Sequence, residues 1–288
     1  MARSSPGVLR MAAILNFIVD HPGQSFSLTD LVKALKLSRA TCHALLTGLV
    51  EVGYLYRASD KNYVLGPALA SIGRIAQQHS SPLQVAQPEM RKLADEFDAV
   101  CAAYFREGDD IIVRDRAASV SHLGWSVPAG TRLKLRAPFS STFYAWRPEA
   151  ETEAWLDSSV PPPTPEHRVE MKRGMKFLRE NGYSVHVHNP RATGTDRSPE
   201  QVFLEEREAF PVTLLAQIDD AVEYSLVSII APVFELRGQI AFVLGLSGFT
   251  GTITGARIKE IGTALTGACD RISTFITGRP RNTATLRA

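Results

Sequence analysis

A chain of 288 residues that is 44% hydrophobic and 22% charged has the composition of an ordinary globular protein and is long enough for a small domain and a larger one. It contains no run of about 18 apolar residues and begins without an apolar stretch ahead of a cleavage site, so we expect a cytoplasmic protein with neither a membrane span nor a signal peptide. Its three cysteines are widely separated, which argues against a disulfide framework and a zinc finger.

The charge is distributed unevenly along the chain. Residues 1–78 carry eight Lys and Arg against four Asp and Glu, whereas the remaining residues carry 24 against 26. Positive charge attracts the phosphates of nucleic acids, and this attraction supplies most non-specific affinity for DNA. The N-terminal region therefore has the charge expected of a DNA-binding domain.

Three helices are predicted before residue 53. Apolar residues with helical spacing form one face of the first helix: Val8, Met11, Ala12, Leu15, Ile18 and Val19. Ser27 and Asp30 form a capping-box pattern ahead of a short second helix, which ends near Lys36. Ser38 can cap a third helix that ends before Gly53. Two short helices joined by a tight turn are typical of a helix-turn-helix, in which the third helix reads DNA.

The face of the third helix opposite its apolar stripe is small and polar. The candidate DNA contacts on this helix are Ser38, Arg39, Ala40, Thr41, His43, Ala44 and Thr47. Alanine and threonine methyl groups can contact thymine methyl groups. Arg39, Thr41 and His43 can reach phosphates or guanine.

A β-hairpin wing is predicted after the third helix, because two aromatic-rich segments, 54–57 and 63–66, flank a polar turn. Candidates for contacts with the DNA backbone or the minor groove lie near its tip: Arg57, Ser59, Lys61 and Asn62. The alternative is a winged domain that serves protein–protein assembly.

A linker helix is predicted from Pro67 to about Gln78, with an apolar edge at Leu69, Ile72 and Ala76. We divide the chain into a winged helix-turn-helix domain at 1–66, the linker helix at 67–82, a domain at 83–278 that is expected to bind a small effector, and a disordered basic tail at 279–288. The apolar edge lacks a partner within its own segment. We therefore expect self-association as a dimer or a dimer of dimers.

An α+β fold is predicted for the larger domain. Strands are expected at 100–107, 110–116, 122–127, 183–188, 225–234 and 239–247, with helices at 83–97, at 166–181 and from Ile258 to Ile276. Between them, residues 137–141 indicate the exit from a strand into a helix. A mostly antiparallel sheet with helices at both ends often holds a ligand against one face.

Candidates for catalysis or metal binding are weak. His186 and His188 could share a metal but lack a third ligand, so two satisfied strand histidines are the simpler interpretation. Cys101 lies in a segment typical of a buried strand, and Asp219-Asp220 is more simply a solvated loop. We therefore predict a non-enzyme with no catalytic residue, cofactor or metal. The alternatives are a hydrolase or lyase with an accessory winged domain and a protein-interaction scaffold.

Two parts of the chain resemble a known family. The run LTDLVKALKLSRATCHALLTGLVEVGYLYRASDKNYVLGPALASIG, including Leu65-Gly66, resembles the DNA-binding segment of the isocitrate-lyase-regulator (IclR) family. Its GAF-like effector domain is similar to AGTRLKLRAPFSSTFYAW and SLVSIIAPVFELRGQIAFVLGLSGFTGTIT. The resemblance implies a transcriptional regulator, repressor or activator, that binds a DNA operator and senses a small organic effector. The chain departs at His43-Ala44, where members commonly carry Tyr-Arg.

The resemblance also implies a set of effector contacts by position. These are Ala137, Phe139, Ser140, Asp219, Ser228, Gly245 and Ser247. A helix starting near Pro138 would add free backbone N–H groups at Ser140 and Ser141, which favour a carboxylate. Phe139 would form an apolar wall, and hydroxyls in the otherwise apolar hairpin would need partners. We expect a carboxylate-bearing or aromatic catabolite as the effector.

Overall fold

The structure, a computed structural model, describes residues 5–79, 82–122, 127–159, 162–188, 212–236 and 238–278. It divides into two compact units between residues 81 and 82. The linker helix belongs to the first unit, and the finer division into domains stays a prediction. The predicted tail at 279–288 and most of the predicted strand at 122–127 lie outside the described residues.

The first unit contains three helices, a hairpin and a fourth helix. Its elements are α1 (Pro6–Val19), α2 (Leu28–Leu35), α3 (Arg39–Glu51), β1 (Leu55–Arg57), β2 (Tyr63–Leu65) and α4 (Ala68–His79). Both predicted N-terminal caps are present. Ser27 and Asp30 bond reciprocally at the start of α2, and the Ser38 hydroxyl accepts from the Thr41 N–H at the start of α3. The predicted winged helix-turn-helix is confirmed.

The predicted apolar face of α1 is only partly confirmed, because Met11, Leu15 and Ile18 pack into the core whereas Val8 and Val19 do not. Ile14, which the prediction left out, is fully buried with Ile18, whereas Val8 is 57% exposed and Val19 is 36% exposed. Residues 11, 14, 15 and 18 have the same helical spacing as the predicted set and pack into the core. Because α1 is apolar on more than one side, spacing alone could not select the buried face.

The Leu65-Gly66 exit from the wing has a steric cause. A Cβ built on Gly66 would lie 2.2 Å from the carbonyl oxygen of Gly53, which itself has φ +73°. The Gly66 N–H also donates to the Tyr54 carbonyl at 2.8 Å. Only glycine allows the chain leaving the wing to pass this close to the end of α3.

The second unit is an α+β domain around one large sheet. Its elements are α5 (Pro82–Phe97), β3 (Val100–Glu107), β4 (Asp110–Ala118), β5 (Arg132–Lys134), α6 (Ser141–Tyr144), α7 (Glu149–Ser158), α8 (Pro165–Asn181), β6 (Ser184–His188), β7 (Val212–Leu214), β8 (Glu223–Tyr224), β9 (Leu226–Phe234), β10 (Ile240–Ser247), β11 (Ile253–Thr254) and α9 (Gly255–Thr277). The seven-stranded sheet is antiparallel in the order β5-β4-β3-β10-β9-β6-β7. The predicted α+β class is confirmed, and this arrangement is consistent with a GAF-like fold.

The two faces of the sheet pack against different helices. On one face, α5 and α9 cover Ile229 and Ala231 of β9 together with Leu244 of β10. On the other face, Ile230 and Val243 pack with residues of α6, α7 and α8. The alternation of β9 side chains between the two faces follows from the two-residue period of a strand. The second face also carries three buried polar residues, Ser184, His186 and Ser228.

Candidate DNA-binding surface and effector site

Helix α3 presents the predicted reading face to solvent. Arg39, Ala40, His43, Ala44 and Thr47 are exposed, while the opposite side of the helix is buried at positions 42, 46 and 49. Three of the five exposed residues are alanine or threonine, so the backbone of α3 is accessible to a close partner. Only Arg39 and His43 extend well beyond this flat surface.

The hydroxyls on α3 are partly occupied within the helix. The Ser38 hydroxyl donates to Thr41 Oγ1 at 2.8 Å and accepts from the Thr41 N–H at 3.1 Å. The Thr47 hydroxyl donates to the His43 carbonyl at 2.9 Å. Ser38 and Thr41 therefore fix the start of the helix, and Arg39 is the long polar side chain nearest to that start.

The wing presents two cations and one amide that is already bonded. Lys61 lies at the tip of the hairpin with φ +66°, and the Arg57 guanidinium lies 5.6 Å from the centre of the Tyr63 ring. The Asn62 amide donates to Asp60 at 3.0 Å and to the Ser25 hydroxyl at 3.1 Å. Among the predicted wing contacts, Arg57 and Lys61 are available to a phosphate, whereas Asn62 holds the hairpin.

In the second unit, a cluster of polar side chains is buried between the sheet and the strand exit. We define the polar cluster as Ser140, Ser141, Thr142, Ser184, His186 and Ser228. Ser228 is 8% exposed and the other five are fully buried. His186 on β6 pairs directly with Ser228 on β9 and with Leu214 on β7. Long-range strand pairing therefore assembles this cluster from three separate parts of the chain.

Some polar atoms of the cluster are bonded and others are not. The Thr142 and Ser184 hydroxyls lie 3.2 Å apart, the Ser184 hydroxyl also donates to the Ile230 carbonyl, and Ser228 Oγ lies 3.3 Å from His186 Nδ1. Three further buried atoms have no hydrogen-bond partner among the described residues: Ser140 Oγ, Ser141 Oγ and His186 Nε2. Buried polar atoms nearly always have partners, so these three atoms mark a place where a ligand can bind.

His186 is the functional candidate that the sequence did not reveal. Its interpretation as a satisfied strand histidine holds for Nδ1, which lies 3.3 Å from Ser228 Oγ, but not for Nε2, which is left without a hydrogen-bond partner among the described residues. Burial lowers the pKa of His186 to about 4, and the backbone of Pro138 and Ser228 opposes this shift in part. The imidazole is therefore neutral at pH 7. The half-buried Phe139 ring stacks on it with a centroid distance of 5.3 Å and an interplanar angle of 23°.

The predicted anion site at a helix N-terminus is wrong. The Ser140 N–H donates to the Arg136 carbonyl and the Ser141 N–H donates to the Pro138 carbonyl, each at 3.0 Å. Local turns thus use both N–H groups that the prediction left free, and α6 begins only at Ser141 and is four residues long. The serine side chains, rather than their backbone, are the unsatisfied groups.

The hairpin of β9 and β10 places two of the other predicted contacts. Ser247 lies directly opposite Ser228 in the strand register, so the two serines share the face that carries His186. A Cβ built on Gly245 would meet the Tyr104 ring at 3.0 Å. Gly245 therefore makes room for Tyr104, while the partly exposed Ser247 borders the polar cluster.

Asp219 lies apart from the polar cluster. It is exposed, its carboxylate accepts from the Ala221 N–H at 3.0 Å, and its own N–H donates to the Tyr224 hydroxyl at 3.1 Å. Its carbonyl oxygen would lie 1.9 Å from a Cβ on Gly255, the first residue of α9. Helix α9 packs on the opposite face of the sheet from His186. The contacts of Asp219 thus belong to the loop that starts α9.

The remaining chemical candidates have structural surroundings. Cys101 is fully buried, and burial raises the pKa of its thiol well above the ordinary value, which fits a packed thiol. Within the residues the structure describes, no group of three or more His, Cys, Asp and Glu side chains could hold a metal ion. No helix in the described part of the chain is both long and apolar enough to span a membrane.

A small surface cleft lies beside the polar cluster. Its lining is Pro138, His167, Glu170, Met171 and residues 212–214. Leu214 pairs with His186, and Pro138 precedes Phe139, so the cleft borders the cluster on two sides. Glu170 gives this approach a negative charge.

Comparison with known proteins extends over both units. Residues 7–59 match the model of the IclR helix-turn-helix domain. The HTH-type transcriptional regulator KipR of Bacillus subtilis (strain 168) is 22% identical over 274 residues, which cover 95% of this chain and 98% of KipR. TtgV, an HTH-type transcriptional regulator of Pseudomonas putida, is 30% identical over 158 residues, which cover 54% of this chain and 59% of TtgV. The crystal structure of Pseudomonas aeruginosa HmgR shares the fold, with a TM-score of 0.58 at 17% identity over 94% of this chain and 98% of HmgR.

Proposed function

Because this chain belongs to the IclR family of transcriptional regulators, we propose that its first unit binds a double-stranded DNA operator and its second unit binds a small organic effector. The protein then works in the cytoplasm, where the operator lies. The observation that carries DNA binding is the exposed face of small residues on α3 within a winged helix-turn-helix. Such a face lets a helix lie close to base edges in the major groove.

The residues of the first unit divide the work of recognition. Ala40, Ala44 and Thr47 allow close approach, and their methyl groups can contact thymine. Relatives commonly carry Arg where this chain has Ala44, which is too short to reach guanine or phosphate. Arg39 and His43 are therefore the side chains on α3 that are long enough to make these contacts. The wing cations Arg57 and Lys61 bind the phosphate backbone.

A binding-site selection from fragments of the host genome tests this function. The full chain should enrich one duplex sequence over the starting pool, and the affinity for that sequence should fall as salt rises because phosphate contacts release counterions. Recovery of fragments without a shared sequence, or affinity independent of salt, would contradict the proposal.

The effector site that we propose is the polar cluster with Phe139 and Ser247 at its border. Small-molecule sites are concave, mostly apolar and carry a few convergent polar groups. Unbonded buried atoms at Ser140, Ser141 and His186 beside a cleft support this location. We do not include Asp219 or Gly245, whose contacts are those of a loop and of ring packing.

Self-association through α4 completes the proposal. Ile72 is 48% exposed and Ile75 is 53% exposed, and both lie on α4. A second copy that covers these side chains would remove apolar surface from water and present two reading helices to two half-sites. The hydrolase or lyase alternative has less support, because Cys101 is a packed thiol and Asp219-Asp220 is exposed.

A further inference from the structure

Three buried polar atoms of the second unit belong to residues that lie close to Phe139 in the chain or under its ring. Ser140 Oγ and Ser141 Oγ come from the strand exit, and Nε2 comes from His186, the central strand residue under Phe139. Each atom is on a fully buried residue and lacks a partner among the described residues. A folded protein bears the cost of such atoms where a bound molecule later satisfies them.

We infer that the effector is an uncharged aromatic compound with a hydroxyl or amide group, which bonds His186 Nε2 and the Ser140 and Ser141 hydroxyls while its ring packs beside Phe139. This inference rests on the proposed function, since it names the chemical class that the proposed effector site accepts. It replaces the broader expectation of a carboxylate-bearing or aromatic catabolite.

The absence of charge in the polar cluster argues for an uncharged ligand. Its members are five hydroxyl side chains and one imidazole that stays neutral because burial lowers its pKa to about 4. The backbone N–H groups of Ser140 and Ser141, which would have stabilised a carboxylate, already donate to carbonyls. A buried carboxylate without an opposite charge is strongly disfavoured. Glu170 in the neighbouring cleft adds repulsion for an anion.

The hydrogen-bond pattern argues for a group that both donates and accepts. If the Ser228 hydroxyl donates to His186 Nδ1, then Nε2 carries the proton and donates; if Nδ1–H donates to Ser228, then Nε2 accepts. A ligand hydroxyl or amide can pair with Nε2 in either tautomer, and each serine hydroxyl can adjust to it. A carboxylate can pair with Nε2 in one tautomer only.

Phe139 argues for a ring. It is half-buried and stacks on the imidazole, so it forms the apolar border between the polar cluster and the surface. Aromatic rings prefer offset-stacked or edge-to-face contacts with one another. A flat ring inserted beside Phe139 keeps such contacts while its polar group reaches His186.

Calorimetric titration of the full-length chain with four matched probes tests the inference. Phenol and benzamide carry the hydroxyl or amide, benzoate carries a charge on the same ring, and toluene carries neither. We expect phenol or benzamide to bind at least tenfold more tightly than benzoate and toluene. Benzoate binding as tight as phenol or benzamide, or no binding by any probe, would overturn the inference.

Serine variants locate the bound probe. Ser140→Ala and Ser141→Ala should weaken phenol or benzamide binding at least tenfold while leaving the melting temperature of the ligand-free chain unchanged or raised, because each removes an unsatisfied buried hydroxyl. The matched control is Ser273→Ala, which removes a buried hydroxyl that accepts from the Phe234 N–H and donates to the Cys269 carbonyl. This control should lower the melting temperature and leave the affinity within twofold. Full affinity in both Ser140→Ala and Ser141→Ala would place the ligand elsewhere.

Operator binding measured in the same samples distinguishes failure of the proposed chemical class of the effector from failure of the proposed function. If benzoate binds and changes the operator affinity, the effector function stands and only the chemical class is wrong. If the full chain does not bind duplex DNA in a salt-dependent way, the proposed function itself fails, whichever probe binds.

Discussion

The two units keep their polar functional groups in opposite environments. On α3 and the wing, the candidate groups are exposed, and the hydroxyls of Ser38 and Thr47 are satisfied within the helix. In the polar cluster the groups are buried, and three atoms have no partner among the described residues. A large charged partner such as DNA can be met on the surface with water present, whereas a small molecule must supply hydrogen bonds inside the protein.

The largest expected effect is a loss of stability confined to the first unit. Gly66→Ala would place a Cβ against the Gly53 carbonyl, and relief of that clash should cost about 3 kcal/mol of stability. We expect loss of operator binding with retained effector binding. The control is Gly73→Ala in α4, where a Cβ meets nothing within 4 Å. It should be neutral or slightly stabilising, because alanine favours a helix.

Equal loss of stability in Gly66→Ala and Gly73→Ala, measured by chemical denaturation, would contradict the steric explanation. Loss of effector binding together with operator binding in Gly66→Ala would contradict the independence of the two sites.

The pH dependence of stability tests whether His186 in the second unit is held neutral by burial. Because burial lowers the pKa of His186 to about 4, the unfolded chain binds a proton at His186 at a higher pH than the folded chain does. The stability that depends on neutral His186 is fully present above about pH 6.5 and is lost progressively as the pH falls to 4. Its size is about 1–3 kcal/mol. We expect His186→Phe to unfold with a shallower pH dependence than the unchanged chain over this window.

Denaturation curves at several pH values measure this difference. His43→Phe is the matched control, because His43 is exposed on α3 and should leave the slope unchanged. Identical slopes for the unchanged chain and His186→Phe would show that His186 is not held neutral by burial.

Self-association gives a smaller effect that concerns α4. Replacing Ile72 and Ile75 together with glutamate should shift the chain toward a monomer of 31.5 kDa in sedimentation at micromolar concentration, because charges would have to be buried in the interface. Val120→Glu is the control, since Val120 is 94% exposed outside this helix. If the chain without substitutions sediments as a monomer both with and without DNA, the proposed dimer is contradicted.

Local patterns predicted the first unit well, and long-range pairing explains what they missed in the second. The caps at Ser27 and Ser38 depend on residues three positions apart, so the sequence contains the whole signal. The predicted buried face of α1 was only partly right, because apolar residues on several sides of the helix satisfy the same spacing. The site at His186 depends on residues from positions near 140, 186 and 228 that meet only in the folded sheet.

One signal in the sequence does point to the polar cluster. Ser184 and His186 alternate with valines on a strand, so two polar side chains share one face where apolar ones are expected. The free N–H groups predicted at Ser140 and Ser141 could not be judged in this way, because the turns that use them involve carbonyls whose direction no pattern specifies.

The salt dependence of operator binding tests the central claim most directly. Changing Arg39 and Lys61 together to alanine should reduce the slope of log affinity against log salt by about one to two units, since each lost phosphate contact accounts for about 0.9. Lys176→Ala, an exposed cation on α8, should leave the slope unchanged. An unaltered slope in the double variant would remove α3 and the wing from the DNA interface and contradict the account.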